Sequence, residues 1–142
     1  MRIMGLDVGE KRIGIAISDP MGWTAQGHSV LQRTEPEADL NKIQQICRDY
    51  EVEKIVVGLP RNMDGSIGAK ALEVQEFGTV VKNRLAIAVE YWDERLSTRS
   101  AERILIAADL SRRRRKQVID KMAAVNILQA YLDRLAAGSN GV

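Results

Sequence analysis

Residues Arg2 to Val8 and Arg12 to Ser18 are two apolar, β-branched runs with only Gly9-Glu10-Lys11 between them, and this pair constrains the fold more than any other feature of the chain. Runs of that length and composition read as strands. A three-residue connection containing glycine, which adopts dihedrals closed to other residues, turns them back on each other as a β-hairpin. The first strand carries an acid near its end, Asp7 in Gly5-Leu6-Asp7-Val8-Gly9. Among apolar neighbours a carboxylate suffers desolvation unless a cation meets it, although Asp-x-Gly is also a common way to close a turn. Gly9 and Gly14 either admit a ligand close to the backbone or relieve sterics within the hairpin.

The rest of the chain alternates between strand and helix signals. Asp19-Pro20-Met21-Gly22 supplies turn residues before a third strand near His28 to Gln32. Leu40, Ile43, Gln44, Ile46, Cys47 and Tyr50 recur at helical spacing from about Pro36 onward, and Lys54 to Leu59 is then a short buried strand. Pro60 to Gly68 holds Pro60, Asn62, Asp64, Gly65 and Gly68 and reads as a loop. A helix over Ala69 to Leu85 leads to a strand over Ala86 to Trp92, which stops at Asp93-Glu94-Arg95. Ser97 or Thr98 caps a helix through about Ala108, and Lys116 to Ala136 forms the longest helix after a basic segment. The pattern predicts an α/β fold, a mixed five-stranded sheet with helices on both faces. Ligands in such sheets gather at the carboxyl ends of the strands, where Asp7, the 58–65 loop and Asp93/Glu94 all fall.

The 142 residues fit one domain, expected over 1–137 with a frayed tail over 138–142. Composition, 45% apolar and 28% charged, is that of a water-soluble globule. Cys47 is the only cysteine, so no intramolecular disulfide forms, and a reducing cytoplasm is the expected setting. No apolar run reaches the roughly 18 residues of a membrane span, and Met1 to Gly9 turns polar too soon for a secretory signal. A net charge of +2 is too mild to mark a nucleic-acid binder, but its distribution is informative: Ser111 to Lys116 places five cations in six residues. A basic rim near an acidic centre suits a polyanion cut with metal help.

Three acids carry the candidate chemistry. Alternation sends Asp93 and Glu94 to opposite sides, so one of them points toward Asp7; Glu94 is favoured, with Asp93 as a substitute that otherwise braces Arg95 or caps the next helix. Asp120 heads a helix stripe with Ala124, Ile127 and Tyr131 at offsets of 4, 7 and 11, flanked by Ala123, and the alanines let that helix approach the sheet closely. The opposite stripe, Val118, Met122, Val125 and Leu132, is apolar too, as for a helix covered on both sides. Each acid also has a plain reading, at a turn or at a helix start. Carboxylates from two strands and a helix fit one or two hard cations, Mg²⁺ or Mn²⁺, whereas a single histidine and a single cysteine do not fit zinc. Two such ions activate water and stabilise a departing oxygen in phosphodiester hydrolysis. His28 and Cys47 have no nucleophile motif around them and read as a polar strand or loop residue and a core residue. Candidate nucleic-acid contacts are Lys11, Arg12, Asn62, Arg95, Arg112, Arg113, Arg114, Arg115 and Lys116. The basic run would grip phosphates without reading sequence, or serve only as a solvated linker.

Gly5-Leu6-Asp7-Val8-Gly9 with Lys11 to Ala16, Ser18-Asp19, Val57 to Pro60 with Asn62 to Gly65, Asp93 to Thr98, and Ile119 to Ala124 with Ile127 to Gln129 together resemble the YqgF (RuvX) family over nearly the whole chain. That family is described both as Holliday-junction resolvases and as nucleases maturing pre-16S ribosomal RNA. The resemblance implies a ribonuclease H-like fold and an acidic site at Asp7, the pair Asp93/Glu94 and Asp120. It implies structured nucleic acid as partner, RNA processing first and four-way DNA junctions second; the chain acts as a monomer or as a homodimer, which symmetric junction resolution needs. Two rival readings remain. Asp-x-Gly before a Gly-x-Ala strand also opens the ATP-binding fold of actin, sugar kinases and Hsp70, but those proteins close two domains around the nucleotide where this length supplies one. The other rival is a non-catalytic RNA- or protein-binding module using the basic run.

Overall fold

The hairpin forms as the sequence predicts: β1 (Arg2–Val8) and β2 (Arg12–Ser18) pair antiparallel with Asp7 opposite Gly14, and the Gly9 N–H closes the turn on the Arg12 carbonyl at 2.8 Å. The computed structural model describes residues 1–96 and 112–140, and the side chains of 1–96 and 121–138. Three further strands, β3 (Ala25–Gln32), β4 (Val52–Leu59) and β5 (Ala88–Asp93), complete a mixed sheet in the order β3-β2-β1-β4-β5. β1, β2 and β3 form an antiparallel meander, while β4 and β5 run parallel to β1. The described helices are α1 (Pro36–Asp49), α2 (Ala69–Leu85) and α3 (Arg112–Asn140), with a short 3-10 turn over Glu94–Leu96. Among the described residues no helix is long and apolar enough to cross a membrane.

Each face of the sheet buries its own cluster, so the central strands are apolar on both sides and carry continuous rather than alternating hydrophobic runs. On one face Met4, Leu6, Ile15, Ile55 and Val57 pack with Leu40, Ile43 and Cys47 of α1 and Val74 and Val81 of α2. On the other, Ile3, Ala16 and Val56 pack under Ala124, Ile127, Leu128, Tyr131 and Leu132 of α3. Each fully buried Ile or Leu contributes roughly 1.5–3 kcal/mol. α3 crosses at close range because the sheet offers glycine beneath it. A Cβ on Gly5 would stand 2.8 Å from Leu128 Cβ and 3.1 Å from the Ala124 carbonyl, and one on Gly27 would stand 3.3 Å from Lys121 Cδ. Near the start of β4, the Tyr131 hydroxyl donates to the Glu90 carboxylate and accepts from Lys54 Nζ at 3.1 Å, which pins the helix. Burial pushes the Tyr131 hydroxyl above its ordinary pKa, and the bond to Tyr131 raises that of Lys54.

Several boundaries differ from the sequence reading. β3 begins at Ala25, not near His28, because Asp19 accepts the N–H groups of Met21, Trp23 and Thr24 and finishes the turn early, leaving Ala25 opposite Ser18. β5 begins at Ala88, since Ala86 takes a left-handed conformation (φ 53°) that ends α2. The last helix runs from Arg112 to Asn140, so the backbone of the basic run is its first turns and not a linker before it. Leu132 joins the buried stripe of α3, while Met122 and Val125 are half-buried, Val125 packing against the cluster between α3 and the sheet. The helix expected from Ser97 or Thr98 to Ala108 lies outside the described residues.

Candidate active site

Strand alternation decides which face Asp7 serves. Ile3 packs beneath α3 and the Cβ position of Gly5 points at Leu128, so Asp7, two residues on, shares that face; Met4, Leu6 and Val8 take the other. In β4 the same face carries Val56 and then Gly58. The parallel register, Gly5 beside Val56 and Leu6 beside Val57, sets Asp7 and Gly58 in neighbouring columns, one strand spacing of about 4.8 Å apart.

Glu94 fills the space above Gly58. It is the first residue after β5, in the 3-10 turn, and is only 8% exposed. A Cβ on Gly58 would lie 2.7 Å from Glu94 Oε1 and 3.1 Å from its Cγ, and would overlap Ile127 Cδ1. Glycine here is therefore a space requirement: it lets a carboxylate lie on the sheet beside Asp7. The sequence reading placed Gly58 in the loop at the strand ends but did not foresee that it makes room for a carboxylate. Its signal was present, a glycine inside the apolar run Val56-Val57-Gly58-Leu59, since a strand glycine often marks a close approach.

The two adjacent acids divide their tasks. Arg95 grips the carboxylate of Asp93 with Nε at 3.0 Å to both oxygens and Nη2 at 2.6 Å, which holds its pKa below the usual carboxylate range. Arg95 Nη1 also donates to the Met63 carbonyl at 3.2 Å, so this arginine ties the end of β5 to the loop after β4. Asn62 turns inward to that loop as well, donating to Ser66 Oγ at 2.9 Å.

Asp120 lies in α3 one turn before Ala124 and two turns before Ile127, the residue that meets Gly58; its side chain lies outside the described residues, as do those of Arg112, Arg113, Arg114, Arg115 and Lys116. Among the described residues no three acids, histidines or cysteines form a metal-holding group. Asp7 and Glu94 are the two predicted ligands placed on one face, and both are hard oxygen donors of the kind Mg²⁺ and Mn²⁺ take. Lys11 is exposed at the hairpin turn, with Arg12 half-buried beside it. Arg33 braces the same turn, its Nη1 donating to the Gly9 carbonyl at 2.8 Å while the guanidinium lies over Phe77; no sequence signal singled it out. Cys47 and His28 stand apart from this site. Burial in the core pushes the Cys47 thiol up to about 11, and His28 Nδ1 pairs with Ser29 Oγ at 2.8 Å with its ring edge-on to Tyr50.

Comparison with known proteins agrees with this architecture. A family model described as "RuvX: Holliday junction resolvase" matches residues 1–134. A relative from Syntrophomonas wolfei, named "Putative pre-16S rRNA nuclease", is 64% identical over 140 residues, 99% of each chain. A relative of the same name from Moorella thermoacetica is 56% identical over 142 residues, the whole of both chains. Among solved structures, Thermus thermophilus RuvC superposes with a TM-score of 0.59 at 13% identity, covering 96% of this chain and 97% of that one. The fowlpox virus Holliday junction resolvase gives 0.55 at 13% identity over 94% and 99%. At such identities the likeness speaks to fold alone, and the fold is the expected ribonuclease H-like one, a mixed five-stranded sheet with α1 and α2 on one face and α3 on the other. The match along residues 1–134 and the near-complete overlap with the bacterial relatives establish that this chain belongs to the RuvX (YqgF) family.

Proposed function

We propose that this chain is a divalent-cation-dependent endonuclease that hydrolyses phosphodiester bonds in structured nucleic acid, with pre-16S ribosomal RNA as its natural substrate in the bacterial cytoplasm. The observation that carries the proposal is the buried carboxylate of Glu94, seated over Gly58 in the column next to Asp7. Asp7 in β1 and Glu94 just after β5 would hold the cations, and Asp120 would complete the set from α3. Once bound, Mg²⁺ or Mn²⁺ supplies an activated water and neutralises charge developing on the phosphate. Lys11 and Arg12 on the hairpin and the cations of Arg112 to Lys116 take the flanking phosphates, contacts that position a strand without reading it.

The names of relatives 64% and 56% identical to this chain favour RNA over DNA. A four-way DNA junction is the second reading, favoured by the description of the family model. The test is digestion of pre-16S RNA, linear duplexes and four-way junctions by the purified protein, with Mg²⁺, with Mn²⁺ and with chelator. Cation-dependent cuts confined to the RNA are expected. Paired, symmetric nicks in the junction alone would transfer the assignment to DNA. Binding without cleavage of any substrate would leave a non-catalytic RNA-binding module.

A further inference from the structure

We propose that Met63 is a substrate-reading residue that inserts between bases beside the cut phosphate, an inference that rests on the nuclease reading above. Met63 is 93% exposed, more than any other large hydrophobic residue described. Exposed apolar side chains scattered over a surface are ordinary. What distinguishes this one is its mounting. The Asn62 N–H bonds the Ser66 carbonyl at 3.0 Å, the Gly65 N–H bonds the Asn62 carbonyl at 2.9 Å, and Asp64 Oδ1 takes both the Ser66 N–H at 2.9 Å and the Ser66 hydroxyl at 2.6 Å. Gly65 supplies the positive φ of 89° that the turn demands. From outside the loop, Arg95 fixes the Met63 carbonyl itself while locked to Asp93.

A backbone held at so many points loses little entropy when its tip meets a ligand, and the tip offered is an unbranched, polarisable thioether. Its place matters equally. The loop leaves β4 directly after Gly58 and Leu59, Leu59 is paired with Asp93, and Arg95 joins Asp93 to the Met63 carbonyl, so the loop is tied to the residue just before Glu94 and carries the cation of Arg61 beside its tip. A polyanion drawn to that edge brings stacked bases as its only large apolar surface. Apolar wedges such as methionine separate base steps, most readily where pairing is already imperfect. Met63 would thus favour helix ends, loops and mismatched stems over perfect duplex, and Arg95 is a positioning residue that acts through it.

The experiment uses full-length protein carrying Asp7→Asn, so that RNA stays whole, and a hairpin RNA with 2-aminopurine at successive stem positions. Binding is followed by anisotropy and unstacking by fluorescence. At saturation, chains with Met63 or with Met63→Leu should raise the fluorescence at one position by about twofold or more, and Met63→Ala should not. Because the side chain is exposed, the alanine variant leaves no core cavity. Equal rises with and without Met63, or no rise for any chain, overturn the inference. A Met63-dependent rise on an RNA that the unmutated protein never cuts upholds the insertion between bases but overturns its place beside a cut phosphate, and with it the nuclease reading.

Discussion

Replacing Gly58 with alanine tests how the site is built. The added methyl would overlap Ile127 Cδ1 and stand 2.7 Å from Glu94 Oε1, so one neighbour must move. Ile127 is held within a 29-residue helix and is 1% exposed, whereas Glu94 sits in a three-residue turn, so Glu94 yields first. Overpacking of this kind costs about 1–3 kcal/mol, a fall of roughly 3–9 °C in Tm for a domain of this size. Displacing a cation ligand by about 1 Å costs on the order of 100-fold in cleavage. Thermal denaturation and an initial-rate assay on pre-16S RNA read the two effects separately. Ile127→Val removes Cδ1 at its own cost of about 0.5–1.5 kcal/mol. In that background Gly58→Ala should lose less stability while cleavage stays low, because the clash with Glu94 remains. A Gly58→Ala protein that melts and cuts like the unmutated chain would show that Gly58 is not what seats Glu94 in the site.

Other perturbations separate the site from its scaffold. Tyr131→Phe removes the hydroxyl joining Lys54 and Glu90 and should cost about 1 kcal/mol, near 3 °C in Tm, with cleavage unchanged; a loss of activity at unchanged Tm would contradict a structural role. The bond from Arg95 lowers the folded pKa of Asp93, so its contribution is complete above the ordinary carboxylate range and fades as pH falls through the lowered value. The methyl NMR signal of Met63 should therefore hold its position down to about pH 5 and move only in stronger acid. Replacing Arg112, Arg113, Arg114 and Arg115 by alanine should weaken binding to all RNAs alike and lower the salt-dependence slope by up to about four; an unchanged slope would return the run to a solvated surface.

The fold was legible because its signals were local. The hairpin, the boundaries of α2 and the parallel strands follow from runs of residues whose period and punctuation need no knowledge of partners. The misplaced starts of β3 and α3 have physical causes. Asp19 closed its turn with three side-chain hydrogen bonds, which propensity does not report, and five consecutive cations form helix once a long apolar stripe follows them. At the site, the sequence could name the acids and favour Glu94 over Asp93, but it could not exclude Asp93. That choice depends on Arg95 reaching Asp93 and on Gly58 leaving room for Glu94, contacts between distant segments. Arg33 was illegible for the same reason, its partner being a backbone carbonyl 24 residues away.

On the reading proposed above, Asp7, Glu94 and Asp120 hold a divalent cation together. A crystal grown with Mn²⁺ and examined by anomalous scattering measures this directly. A peak is expected about 2.0–2.3 Å from carboxylate oxygens of Asp7, Glu94 and Asp120. A peak bound elsewhere, or carboxylates of Asp7 and Asp120 too far apart to share an ion, would contradict it.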